Sequence, residues 1–174
     1  MSWRAYWLVP LLLAACAVAG PPGHASLPPA TFIVVRHAEK AVDGSTDPPL
    51  ATAGVGRARA LARSLADAPL VAVYSTPFRR TRETARPSAV LHGVPVTTYD
   101  PAMPAPAFAA QLRASHASGT VLVVGHSNTV PAIASALCDC RAAPLGENDY
   151  DAIYTVRMQR DGTGVLEPGR QSPP

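Results

Sequence analysis

Two histidines stand just past two short β-branched runs. Arg36-His37-Ala38-Glu39 follows Thr31-Phe32-Ile33-Val34-Val35, and Gly125-His126-Ser127-Asn128 follows Thr120-Val121-Leu122-Val123-Val124. A third such run, Leu70-Val71-Ala72-Val73-Tyr74, leads into Ser75-Thr76-Pro77 and the arginine-rich Arg79-Arg80-Thr81-Arg82. Parallel, neighbouring strands would bring His37, His126 and at least two arginines to one edge of one sheet. That set suits an incoming phosphate. A neutral imidazole nitrogen escapes the repulsion that an anionic nucleophile meets from a phosphate monoester. A guanidinium fork matches two phosphoryl oxygens at once and stabilises their charge during transfer.

The elements that must position these residues alternate strand and helix. Thr52 is expected to cap a helix whose apolar stripe is Val55, Ala58, Leu61, Ala62 and Leu65, with Arg57 facing away. The next helix is expected to hold Pro77 in its first turn, to carry Arg79–Ala85, and to kink or end at Pro87. A short strand is expected over Val94–Thr98, a helix over Ala107–Ser118 with Phe108 and Leu112 inward, and a helix after Asn128 as its cap. Ala152–Met158 reads as a last major strand, with a short partner after Gly162-Thr163-Gly164. The His- and Arg-bearing strands are apolar without alternation, as in strands covered on both faces. The fold class is therefore α/β, a three-layer α/β/α sandwich around a mainly parallel sheet. In such sheets ligands bind beyond the carboxyl ends of the strands, where all three motifs lie.

The ordered set of motifs resembles the histidine phosphatase (phosphoglycerate mutase-like) superfamily, in particular its small bacterial phosphatase branch. Arg36-His37-Ala38-Glu39 and Gly125-His126 resemble its two histidine motifs, and Tyr74 to Ala85 its second signature. Leu50-Ala51-Thr52-Ala53-Gly54 resembles the start of its first helix, and the likeness runs over roughly residues 31 to 158. The resemblance implies a phosphomonoesterase that needs no metal or other cofactor. It makes His37 the nucleophile, Arg36 and Arg80 the phosphate clamp, and His126 a hydrogen-bond donor to the phosphoryl group. Glu39 would orient the His37 loop by pairing with an arginine, while Arg79 and Arg82 would lie outside the clamp. Ser127 and Asn128 would shape the loop. The family's proton donor lies between the second signature and the second histidine. Over Arg86–Gly125 the sole carboxylate is Asp100, which becomes the candidate general acid, or else a turn residue before Pro101.

Bulk properties bound the rest. One domain fits 174 residues with 48% hydrophobic content. A net charge of +3, with few aromatics and no basic stripe, does not point to nucleic acid. Residues 1–16 read as a signal peptide ending in Leu13-Ala14-Ala15-Cys16, which resembles a lipobox with Cys16 acylated. Ordinary secretion with cleavage after Gly23-His24-Ala25 is the alternative. Residues 17–30 form a Pro/Gly-rich tether, 31–166 the domain, and 167–174 a disordered tail. An exported envelope lipoprotein would touch the membrane through its lipid anchor alone. Its substrate would be a phosphorylated small molecule or an envelope phosphate ester. A single residue between Cys138 and Cys140 makes a bridge awkward, so they read as small residues at a helix end. Lys40 reads as a solvated charge, or else a charge that attracts phosphate, and Asp149, Tyr150 and Asp151 as a turn before the last strand, or else a part of the pocket lining. Two further readings compete: a catalytically idle domain that binds a phosphate-bearing ligand, and a zinc hydrolase using His37, Glu39 and His126.

Overall fold

The computed structural model describes Met1 and residues 28–171. Cys16 and most of the 17–30 tether lie outside the described residues, as do residues 172–174. Ten elements follow in the order β1 (Thr31–Arg36), α1 (Thr52–Ser64), β2 (Leu70–Ser75), α2 (Arg79–His92), β3 (Val96–Thr98), α3 (Ala105–Ser115), β4 (Thr120–Gly125), α4 (Val130–Cys138), β5 (Ala152–Met158) and β6 (Gly164–Arg170). They build one six-stranded sheet in the order β3-β2-β4-β1-β5-β6. The four strands on one side of it are parallel, and β5 and β6 continue it antiparallel.

Strand alternation divides the core between two faces. Phe32, Val34, Val121 and Val123 pack with Phe108, Leu112, Ile133 and Leu137 of α3 and α4. Ile33, Val35, Leu122 and Val124 pack with Leu61, Ala85 and Ala89 of α1 and α2. Both faces of β1 and β4 are thus dry, which is why these strands carry no polar alternation. The three-layer α/β/α sandwich with a mainly parallel sheet is the observed architecture.

Several local expectations are corrected. Pro87 does not end α2, which runs on to His92. Thr84, Ala85, Ser88 and Ala89 are buried on both sides of the proline, and this packing outweighs the lost N–H bond. Ala51, not Thr52, caps α1, and Thr129, not Asn128, caps α4. The helix expected over 107–118 spans 105–115, and β3 begins two residues later than expected, at Val96. The tail expected to be disordered from Glu167 onwards is strand as far as Arg170, paired with β5 from Ala152 to Met158. Pro168 is tolerated there because β6 is the sheet's edge. Cys138 and Cys140 do form a disulfide. Asp139 between them adopts the left-handed conformation (φ 51°), which folds the chain back and brings their Cα atoms within 5.1 Å.

Candidate active site

The register of β1 and β4 pairs Arg36 with Gly125, so both histidine motifs leave the sheet at the same level. His37 N–H donates to the Gly125 carbonyl at 2.9 Å, which ties the two loops together. The imidazole centroids lie 5.5 Å apart, edge to face. Arg36, His37, Arg80 and His126 line one cavity of about 380 Å³, together with Lys40, Phe78, Pro101, Ser127, Asn128, Thr129 and Glu147. A larger surface groove along α2, lined by Arg79, Arg82 and Arg86, holds no histidine.

His37 is 4% exposed. Its Nδ1 lies 2.8 Å from the Ala38 carbonyl, which can only accept. The proton therefore sits on Nδ1, and Nε2 is left with a free lone pair. Burial, followed by the charges of Arg36, Arg80 and His126, lowers the His37 pKa to about 4, against the pull of the Ala38 carbonyl. Burial, Arg80 and Arg36 lower His126 to about 4 as well. Both rings are neutral near pH 7.

A hydroxyl relay sets the second ring. Thr81 Oγ1 is within bonding distance of the Thr76 and Phe78 carbonyls, so its single proton is donated there. Thr81 must then accept from Thr76 Oγ1 at 2.8 Å. Thr76 in turn accepts from His126 Nε2–H at 3.0 Å. The neutral ring thus keeps its lone pair on Nδ1.

The two arginines are held in parallel ways. Arg36 Nη1 donates to the carbonyls of Gly146 and Glu147 at 2.9 and 2.8 Å, and the guanidinium lies 4.3 Å over the Tyr150 ring. Arg80 lies 4.6 Å over Phe78, with Nη1 3.6 Å from Asp47. Phe78 also meets His126 edge-on. Arg36 Nε and Arg80 Nε are buried without a partner. A buried, charged donor without an acceptor is costly unless an anion completes it.

The surroundings make this arrangement rigid. Thr84 Oγ1 accepts from Ala38 N–H at 3.0 Å and donates to the Arg80 carbonyl, so α2 holds the His37 loop directly. Glu39 accepts three bonds from Arg57, at 2.6 to 3.0 Å. Burial would raise the Glu39 pKa, but the Arg57 bonds prevail and hold it low. The expected Glu39 pairing is therefore present. Arg57 turns toward the loop, not away as its helical position indicated, and Glu39 is engaged away from any shared zinc site. A Cβ at Gly54 would lie 2.2 Å from the Glu39 carbonyl, so only glycine lets α1 approach this loop. Among the described residues no group of three His, Cys, Asp or Glu side chains could hold a metal ion.

Asp100 is the site residue that the structure moves. It is exposed, does not line the cavity, and its Oδ1 accepts from Ala102 N–H at 2.8 Å. It is a turn residue before α3, and its neighbour Pro101 reaches the cavity instead. Arg79 and Arg82 are exposed, as expected, and Lys40 is both exposed and cavity-lining. Sequence reasoning missed Phe78, Thr76 and Glu147, and left Tyr150 open between a turn and the pocket lining. Its place two residues before Arg80 is the one signal that could have singled out Phe78.

The comparisons agree with this geometry. The model of the histidine phosphatase superfamily (branch 1) matches residues 32–102, which hold the first histidine motif and the arginine signature. No curated protein sequence matches. Among solved structures, the protein histidine phosphatase SixA complexed with tungstate superposes with a TM-score of 0.65 at 23% identity, over 82% of this chain and 97% of that one. A mycobacterial glucosyl-3-phosphoglycerate phosphatase gives a TM-score of 0.66 at 16% identity, over 82% of this chain and 99% of that one. Phosphoserine phosphatase from Entamoeba histolytica gives 0.61 at 18% identity, over 82% and 97%. Residues 32–102 thus match the histidine phosphatase superfamily model, and the chain shares the fold of these phosphatases, with His37, His126, Arg36 and Arg80 gathered at one cavity beyond the strand ends.

Proposed function

We propose that the protein is a metal-independent phosphomonoesterase working through phospho-His37. One observation carries this reading: the free Nε2 of buried His37 shares a cavity with two arginines whose buried Nε donors lack partners. A phosphoryl group has the acceptor oxygens that would complete both. Arg36 and Arg80 would hold it while His37 Nε2 attacks phosphorus in line and the leaving oxygen departs toward the cavity mouth. The Nδ1–H keeps donating to the Ala38 carbonyl, which steadies the ring as it gains charge. Water then attacks the phosphohistidine and regenerates the imidazole.

His126 is neutral before a phosphate binds, with its lone pair on Nδ1. An incoming phosphate dianion favours its charged form, so the ring takes up a proton and donates it to a phosphoryl oxygen. SixA, a glucosyl-3-phosphoglycerate phosphatase and a phosphoserine phosphatase share the fold, so phosphorylated proteins and small metabolites are the substrate classes to try first. Export and acylation at Cys16 belong to the same proposal, on the strength of the Leu13-Ala14-Ala15-Cys16 motif. They predict that Cys16→Ser moves the protein from the membrane to the soluble fraction.

The test is phosphate release from p-nitrophenyl phosphate, with and without chelator, beside His37→Ala. Chelator-resistant turnover that the variant loses is the expected result. Phosphate binding without turnover toward any phosphate ester would favour the idle binding domain instead.

A further inference from the structure

This inference rests on the phosphatase reading. An alcohol leaving group needs a proton, and the cavity floor offers no suitable donor. His37 is the nucleophile, the arginines keep their protons, His126 Nε2–H is committed to Thr76, and the Nδ1–H that His126 gains on binding is committed to a phosphoryl oxygen. Glu147 is the one carboxyl group that lines the cavity.

We propose that Glu147 is the general acid of this phosphatase, protonating the leaving oxygen and later deprotonating the attacking water. Its backbone is fixed, while its exposed side chain makes only one long ion-pair contact, with Arg36. Arg36 holds the carbonyls of Gly146 and Glu147, and Asp149 accepts from Gly146 N–H at 2.7 Å. The Glu147 side chain is 89% exposed against 4% for Arg36, so it stands at the mouth of the cavity whose floor is Arg36. In-line attack by buried His37 sends the leaving oxygen toward that mouth.

The charges around Glu147 change on binding. Its Oε2 lies 3.7 Å from Arg36 Nη2, Lys40 lines the same cavity, and Asp149 and Tyr150 follow on its own loop. A bound phosphoryl group takes over Arg36 and adds like charge beside the carboxylate. A substrate monoanion brings the proton that Glu147 passes on. The N–P bond then forms as the P–O bond breaks, and the leaving oxygen keeps the electron pair and takes the Glu147 proton. In the second half, Glu147 takes a proton from water as its oxygen bonds to phosphorus and the N–P pair returns to Nε2. Alcohol and phosphate are the products.

A leaving-group series tests this in the full chain. kcat/KM is measured for aryl phosphates from p-nitrophenyl to phenyl, in wild type and Glu147→Gln. The exposed position makes the substitution neutral for folding. The expected result is a steeper dependence on leaving-group basicity, with a loss on phenyl phosphate at least about 10-fold greater than on p-nitrophenyl phosphate. Parallel dependences in the two proteins would overturn the role of Glu147 and leave the phosphatase reading intact. Absence of turnover in wild type on every ester would overturn both.

Discussion

The parallel and antiparallel sides of the sheet contribute to the site in different ways. The parallel side supplies His37, His126 and Arg80 directly from strand ends and the start of α2, on backbone that is buried on both faces. The antiparallel side supplies none of these. It supplies the 141–151 loop before β5, which reaches the site only because Arg36 binds its carbonyls across more than a hundred residues of sequence. One side fixes reactive nitrogens, and the other closes the mouth around them. The difference teaches that a rigid nucleophile and an adjustable proton donor are placed by different kinds of structure.

The largest test of the parallel side is removal of the nucleophile. His37→Ala is expected to lower kcat by at least about 10⁴-fold in steady-state assays, with the fold retained by circular dichroism. A variant keeping more than a tenth of wild-type activity would place the reactive group elsewhere. Arg36→Lys comes next, because this residue joins the two sides. It keeps the charge but loses the fork that grips both loop and phosphate. A loss of about 10²-fold in kcat/KM is expected, with faster proteolysis between residues 141 and 151. Catalytic loss without loop opening would separate the two sides.

Acidity probes the buried histidines more gently. With His37 lowered to about 4, its neutral form persists well below the ordinary histidine range. The acid limb of kcat/KM should therefore fall near pH 4 rather than pH 6.5. Stability follows the same sign. Between those values the unfolded chain binds protons that the folded chain excludes, so stability declines as pH falls from about 6.5 toward 4. A denaturation series flat over that window would contradict the buried, neutral assignment of His37 and His126.

The smallest effect is expected at the far end of α4. Reducing the Cys138–Cys140 bridge opens a very short loop, so it should cost only about 1–2 kcal/mol by chemical denaturation. Phosphatase turnover should change less than twofold. A large loss of turnover on reduction would show that this turn communicates with the His126 end of the same helix.

Legibility in the sequence divided along the same line. Continuous apolar runs announce the strands β1, β2 and β4, so Arg36, His37 and His126 at strand ends, and Arg80 in the first turn of α2, were readable. The arginine-rich start of α2 was readable for the same reason. Glu147 and Tyr150 were not, since a polar loop has no periodicity and its position depends on where the Arg36 side chain points. Chain order alone left Asp100 open between general acid and turn residue, because the turn that engages its carboxylate is a matter of three-dimensional geometry. The Cys138–Cys140 bridge depends on one left-handed residue, Asp139, which a spacing argument does not capture. β6 was mistaken for tail because Pro168 and Gly169 look like linker, yet an edge strand accepts both.

The central claim, that phosphate passes through His37, is tested most directly by trapping the intermediate. Wild-type protein turning over a radiolabelled phosphate ester is quenched in alkali and the label located by peptide mapping. An acid-labile, alkali-stable phosphoryl group on the peptide containing His37, absent in His37→Ala, is the expected result. Rapid turnover without label on that peptide, or label that persists in the variant, would contradict it.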